Sequence, residues 1–319
     1  RVNCNGITHK AVAAMPVDSF DTAGAQSAAP VNYTRGKVSV TAGATVGATM
    51  RPACLAKQKS FFIYNLVTMA GEMSTDKPRL VLLHGWGVNQ GVWQGVVTQL
   101  QGKVDVFTPD LPGFGLCRNF PLPYTLEAVV DQLAVQLPDH SYVCGWSLGG
   151  VVAIDLARRY PQKVQQLGLI ASSPCFIANA DWPGMAKPVL QQFAAALSSN
   201  IALTIERFLA IQALGSSSAR LDIKTLKQAI MAYPMAEPAA IEGALQLLNC
   251  DLRPAFSCLS LPIVGYFGRL DSLVPVAVVE KLQQLQPAAQ FEVAPHASHA
   301  PFISDLTEFE QWLKRWLGV

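Results

Sequence analysis

The stretch GWSLGG at 145–150 carries the clearest chemistry in this 319-residue chain. Bare G-x-S-x-G is a weak signal, since with Gly and Ser each near 7% of residues it arises by chance in roughly one chain in ten of this length. Its setting makes it strong: it follows the short apolar run YVC and opens the helical stretch GVVAIDLARRY. A sharp strand-to-helix turn would hold Ser147 in a strained backbone conformation and lift its hydroxyl clear of a sheet, which requires small neighbours such as Gly145, Gly149 and Gly150. The following helix aims its free N–H groups at the serine, where a developing anion would be stabilised. By the same logic Leu148, the residue after the serine, offers its backbone N–H to that anion.

A serine hydroxyl is a poor nucleophile near neutral pH and needs a general base, itself oriented by a carboxylate. Of the five histidines, His9 lies in the N-terminal segment, His140 just before the nucleophile strand, and His84 opens HGWG after the first strand. His296 and His299 remain, both in APHASHAPF after the apolar stretch 291–294. That loop is where open parallel sheets place their ligands, and on the residues alone either histidine serves. The carboxylate is Asp271, because YFGRLDSLVP leaves the run IVGYF and enters a turn.

These residues must be held by strands and helices in alternation. The runs 80–83, 104–108, 142–144, 167–171 and 263–267 are short and continuously apolar, the signature of parallel strands buried on both faces. Segments 127–137 and 150–160 read as helices, and Leu306, Phe309, Leu313 and Trp316 recur at helical spacing before Gly318. The segment 174–253 shows helical periodicity without strand signals and reads as an inserted helical lid. One of its helices puts Arg220, Lys224 and Lys227 on a common face, with Arg207 nearby in sequence; the plain reading of such a stripe is a solvated face.

Composition excludes other classes. Half the residues are hydrophobic and 14% charged, which fits a globular core. A net charge of +2 gives no general reason to expect nucleic acid as partner. No apolar run reaches the roughly 18 residues of a membrane span. Seven scattered cysteines without a CxxC pair argue against a disulfide framework and a zinc site, and point to a reducing, cytoplasmic compartment. Residues 1–72, with seven basic and three acidic side chains, change character: TAGATVGAT at 41–49 is nearly low-complexity. We expect an unstructured or non-native extension, such as sequence upstream of an internal start at Met50, Met69 or Met73. The aromatic run 61–69 reads either as an edge strand or, behind Lys57 and Lys59, as a mimic of a secretory signal.

From about Leu80 onward, HGWG, DLPGFG, GWSLGG, GRLDSLVP and HASHAP resemble the ordered landmarks of the α/β-hydrolase superfamily. The order Ser, Asp, His is the one that fold imposes. LVLLHGWG, ERFLAIQALGSSSAR and HAPFIS are most similar to the biotin-pathway carboxylesterases that act on pimeloyl-[acyl-carrier protein] methyl ester. The resemblance implies an α/β fold: a mostly parallel central sheet flanked by helices, occupying 73–319, with the lid inserted at about 174–253. It implies Ser147 as nucleophile, Asp271 as orienting acid and His299 as base, with His296 as the alternative. Trp86 joins Leu148 in the oxyanion hole, and Phe208 and Gln212 line the acyl pocket. The substrate would be a pimeloyl methyl ester on an acyl-carrier protein received by Arg207, Arg220, Lys224 and Lys227; small esters would serve as surrogates. No metal or organic cofactor, nucleic acid or membrane enters the reaction, and the enzyme would be a monomer. A broad short-chain esterase or C–C bond hydrolase of the same fold is the runner-up, and a non-catalytic ligand receptor stands further off. Dehalogenases and epoxide hydrolases of this fold carry an aspartate where Ser147 stands. Two departures stand out: Cys117 replaces the serine usual after DLPGFG, and a start at Met73 would leave no room for the usual strand pair before the first strand.

Overall fold

The computed structural model describes residues 77–212 and 219–319. The N-terminal extension and the proposed edge strand at 61–69 lie outside the described residues. Among the described residues six parallel strands form one sheet: β1 (Arg79–Leu83), β2 (Asp105–Phe107), β3 (Ser141–Trp146), β4 (Val164–Ile170), β5 (Ile263–Gly268) and β6 (Gln290–Ala294), in the order β2-β1-β3-β4-β5-β6. The chain steps from β1 outward to β2 and then returns past β1 to β3. This reversal opens a crevice at the carboxyl ends of β1 and β3, where open parallel sheets bind ligands. Register places Leu83 beside Gly145, so the HGWG loop and Ser147 emerge next to each other.

The central strands are as buried as their sequences require, with Leu80–Leu83 and Val143–Trp146 sealed from solvent. The outer strand departs from expectation. β2 is three residues long and half-buried throughout, because among the described residues it has a neighbour on one side only. Helices cover both faces. α1 (Gln94–Leu100) follows a short 3-10 turn at Gln90–Trp93, and α2 (Leu126–Ala134) is capped by the Thr125 hydroxyl, which accepts the Ala128 N–H. α3 (Leu148–Arg159) starts on the residue after Ser147, two residues earlier than its sequence periodicity suggests.

Between β4 and β5 come α4 (Lys187–Ser199), α5 (Ile201–Gln212), α6 (Ala219–Met231), α7 (Pro238–Gln246) and α8 (Arg253–Ser257). The first part of this insertion is not helical, contrary to expectation. Residues 174–186 fold back on themselves, with Met185 N–H donating to Phe176 C=O (2.7 Å) and Ala178 N–H to Met185 C=O (2.9 Å). Pro174 and the pair Pro183–Gly184 interrupt any helix there, and α4 begins only once Pro188 can occupy its first turn. α9 (Val278–Leu285), the short α10 (Pro301–Ser304) and α11 (Leu306–Leu317) complete the fold, α11 ending at left-handed Gly318. No helix among the described residues is long and apolar enough to cross a membrane.

Candidate active site

Ser147 stands at the end of β3 with φ 54° and ψ −122°, in the region that side chains rarely occupy. Such a conformation costs on the order of 1–3 kcal/mol and persists only where the surroundings over-determine it. Here they do. Its N–H donates to Ile170 C=O (3.0 Å), while its own carbonyl accepts from the Gly150 N–H (2.9 Å) and the Ser172 hydroxyl (2.7 Å). A side chain at Gly145 would place Cβ 2.2 Å from the Gly149 carbonyl oxygen, and one at Gly149 would lie 2.3 Å from that of Leu83. Both approaches are close because α3 must dive under the turn. Ser172, buried just after β4, escapes sequence reading; only its polarity at a strand end hinted at a role.

At the neighbouring strand ends the other two groups converge. His299 Nε2 lies 3.0 Å from Ser147 Oγ, and its Nδ1 lies 2.8 Å from Asp271 Oδ2. With the Nδ1–H donating to the carboxylate, Nε2 keeps its lone pair toward the serine hydroxyl. The other Asp271 oxygen accepts the N–H groups of Leu273 (2.8 Å) and Val274 (2.9 Å), which hold the carboxylate still. Both side chains of this pair are 1% exposed. The loops that carry them are stitched together, Arg269 N–H to Ala294 C=O and Leu270 N–H to Ala297 C=O. His299 is itself gripped by backbone: its N–H donates to Gln212 C=O (3.3 Å) and its carbonyl accepts the Trp146 indole N–H (2.7 Å). His296 is exposed, and it is His299 that is hydrogen-bonded to Ser147.

His84 plays a different part. Fully buried, it donates from Nδ1 to Gly85 C=O and accepts the Leu111 N–H at Nε2 (2.9 Å), and burial holds its pKa below the ordinary value. A neutral ring therefore ties the HGWG loop to DLPGFG. Asp110 completes that tie by accepting from the Gln90 N–H and side-chain amide and from the Leu116 N–H, each at 2.7 Å. Cys117, in place of the usual serine, is half-buried and donates weakly to Asn119 C=O.

Leu148 follows Ser147, and the loop of Trp86 reaches the serine at Gly85, where a β-carbon would lie 3.2 Å from that of Ser147; no backbone acceptor among the described residues takes the N–H of Trp86 or Leu148. Trp86 is fixed by its indole N–H to Ile241 C=O (2.9 Å) and packs edge-on against Phe208, with centroids 4.9 Å apart. Phe193 meets Phe208 in the same way. Gln212 is buried, and among the described residues its side-chain oxygen has no hydrogen-bond partner. The basic residues of the insertion lie elsewhere: Arg207, Arg220 and Lys224 are exposed, whereas Lys227 is paired with Glu206 and is not a free cation. Among the described residues no cluster of three or more His, Cys, Asp or Glu could hold a metal ion.

A strained serine after a central parallel strand, with an aspartate and a histidine following in that chain order, defines a serine hydrolase of the α/β-hydrolase class. Residues 80–312 match the model of the alpha/beta hydrolase family, and the chain belongs to that family. It is 45% identical over 246 residues to the pimeloyl-[acyl-carrier protein] methyl ester esterase of Aeromonas hydrophila subsp. hydrophila, covering 76% of this chain and 96% of that one. Identity to the pimeloyl-[acyl-carrier protein] methyl ester esterase of Pseudoalteromonas atlantica is 47% over 235 residues, covering 73% and 91%. Among solved structures, a thermophilic esterase from Thermogutta terrifontis superposes with a TM-score of 0.65 at 25% identity, over 75% of this chain and 89% of that one. The enol-lactonase from Burkholderia xenovorans LB400 shares the fold at 18% identity, with a TM-score of 0.67 over 78% and 94%.

Proposed function

We propose that this serine hydrolase cleaves the methyl ester of a pimeloyl chain borne by an acyl-carrier protein, releasing methanol and a free carboxylate for biotin synthesis. The observation that carries the reading is the hydrogen-bonded line Ser147–His299–Asp271 at the sheet's switch point, in a chain so similar to esterases of that name. Ser147 attacks the ester carbonyl while His299 takes the hydroxyl proton. Asp271 holds the ring in the tautomer that can accept it and stabilises the resulting imidazolium. The N–H groups of Trp86 and Leu148 receive the negative charge of the tetrahedral intermediate. His299 then protonates departing methanol, and water repeats the steps to release the acid.

In this reading 73–319 is the hydrolase domain and 174–253 its lid. Phe208 and Gln212 contact the acyl chain, and Arg207, Arg220 and Lys224 draw in the acidic carrier; Lys227 contributes less because Glu206 neutralises it. The enzyme works as a monomer in the cytoplasm, and seven scattered cysteines without a CxxC pair accord with a reducing compartment. The test is hydrolysis of the carrier-bound methyl ester by purified protein, followed by mass spectrometry for loss of the methyl group, with rescue of a biotin-requiring strain lacking its own esterase. Turnover of p-nitrophenyl acetate with none of the carrier-bound ester would replace this reading by that of a broad short-chain esterase.

A further inference from the structure

We infer that Trp146, the residue before the nucleophile, is the positioning residue that sets the distance between nucleophile and base. The inference rests on the reading that Ser147 and His299 act together in ester hydrolysis. His299 sits on a loop after β6, a strand with largely exposed residues and, among the described residues, one neighbour. Contacts to the Asp271 loop anchor it, through Leu270 N–H to Ala297 C=O and the Asp271 carboxylate on the ring, but they tie the base to its orienting acid and not to the nucleophile. Two further hydrogen bonds are made by the backbone of His299 itself. The bond from His299 N–H to Gln212 C=O is long (3.3 Å) and reaches the last residue of α5. The bond from the Trp146 indole N–H to His299 C=O is short (2.7 Å) and sealed from water. Trp146 belongs to β3, in the middle of the sheet, and is covalently joined to Ser147; nucleophile and base therefore share one rigid reference.

The indole has no freedom to move off. Phe302 and Trp93 meet it edge-on, with centroids 4.9 and 6.3 Å away, and the His299 ring lies 5.7 Å from it at 48°. Even a β-carbon at Gly85 would touch its six-membered ring at 3.2 Å, so the HGWG loop closes the remaining side. The residue thus has two separable roles: ring volume supports packing, while the N–H holds the base.

Two variants separate them. Trp146→Phe keeps an aromatic ring but leaves the buried His299 carbonyl without its donor. Trp146→His loses the benzo ring, yet its Nε2 stands two ring bonds from Cγ as the indole nitrogen does, so the donor is restored. With p-nitrophenyl acetate, well below the melting temperature of each variant, Trp146→Phe should lose kcat by roughly tenfold while KM stays within about twofold, as expected for one buried hydrogen bond that orders a catalytic group. Trp146→His should recover most of that loss despite the lower melting temperature of the two. In ¹H NMR the low-field Nδ1–H resonance of His299 should stay sharp in wild type and Trp146→His and broaden in Trp146→Phe. Unchanged kcat in Trp146→Phe, or activities that follow melting temperature with Trp146→His the lowest, would overturn the inference. Should Trp146→His fail to fold, the kcat–KM split and the resonance of Trp146→Phe still decide. The small ester keeps this test separate from the substrate assignment, which fails if wild type ignores the carrier-bound ester.

Discussion

The nucleophile turn and the helices of the insertion are built on opposite principles. α3, behind Ser147, buries ten of its twelve residues, whereas α6, with its cationic stripe, buries three of thirteen. Around the turn no side chain fits at Gly145 or Gly149, and the strain at Ser147 is held by hydrogen bonds with three other residues. On the insertion Arg207, Arg220 and Lys224 are exposed, and in the proposed function they act on the carrier at a distance. A strained, water-free site gives pre-organisation, since dipoles placed before the reaction need no rearrangement during it. An exposed charged face gives selectivity of encounter, since Coulomb attraction across water changes association rates more than bound geometry.

If that contrast holds, damage at the turn should be severe and insensitive to salt, and damage on the lid mild and salt-dependent. The largest effect is expected for Ser147→Ala and His299→Ala, each reducing kcat by ~10⁴–10⁶ with the fold intact by circular dichroism; Asp271→Asn should be equal or milder. His296→Ala as damaging as His299→Ala would contradict the geometry. Gly149→Ala should come next. Its Cβ would meet the Leu83 carbonyl, so we expect a loss of about 3 kcal/mol or more in denaturant unfolding together with activity.

Ser172→Ala removes one donor from the Ser147 carbonyl and should cost about 1 kcal/mol, with turnover falling measurably rather than vanishing. On the lid, Arg220→Glu combined with Lys224→Glu should lower kcat/KM on a carrier-bound ester by about tenfold at low salt and leave p-nitrophenyl acetate untouched. The difference should shrink at 0.5 M salt, where the Debye length falls to about 4 Å. Equal loss on both substrates would mean that the lid had been disrupted. The smallest effect is that of His84. Burial lowers its folded pKa below the ordinary imidazole value of 6.5, so the unfolded chain takes the proton more readily. Its contribution to stability is therefore whole above about pH 6.5 and is lost as pH falls below it. The melting temperature of His84→Asn should drop less than that of wild type between about pH 7 and pH 5; parallel curves would show that other groups control acid stability.

Much of the fold and site was legible because strong local constraints leave residue-level marks. GWSLGG marks a turn only glycines can make, continuous apolar runs mark strands covered on both faces, and Gly318 marks the end of α11. Reading failed where partners are distant in sequence. That β2 would be half-buried depends on the sheet order, and that Lys227 would be neutralised depends on α5 and α6 lying side by side. The residues alone left His296 and His299 open, since both follow the same strand and differ only in which one faces Ser147.

What the sequence by itself determined is the chemistry and the order of its parts: a serine with small neighbours, an aspartate and histidines at later strand ends, and an apolar alternation that can only become a covered parallel sheet. These depend on steric and solvation preferences of single residues and their near neighbours, which any window of the chain expresses. The tertiary structure alone decided which histidine meets the serine, that Ser172 and Trp146 hydrogen-bond to the carbonyls of Ser147 and His299, and that Lys227 pairs with Glu206. Each of these is a contact between residues at least twenty apart, set by strand order and register, and nothing in either partner's neighbourhood encodes the other.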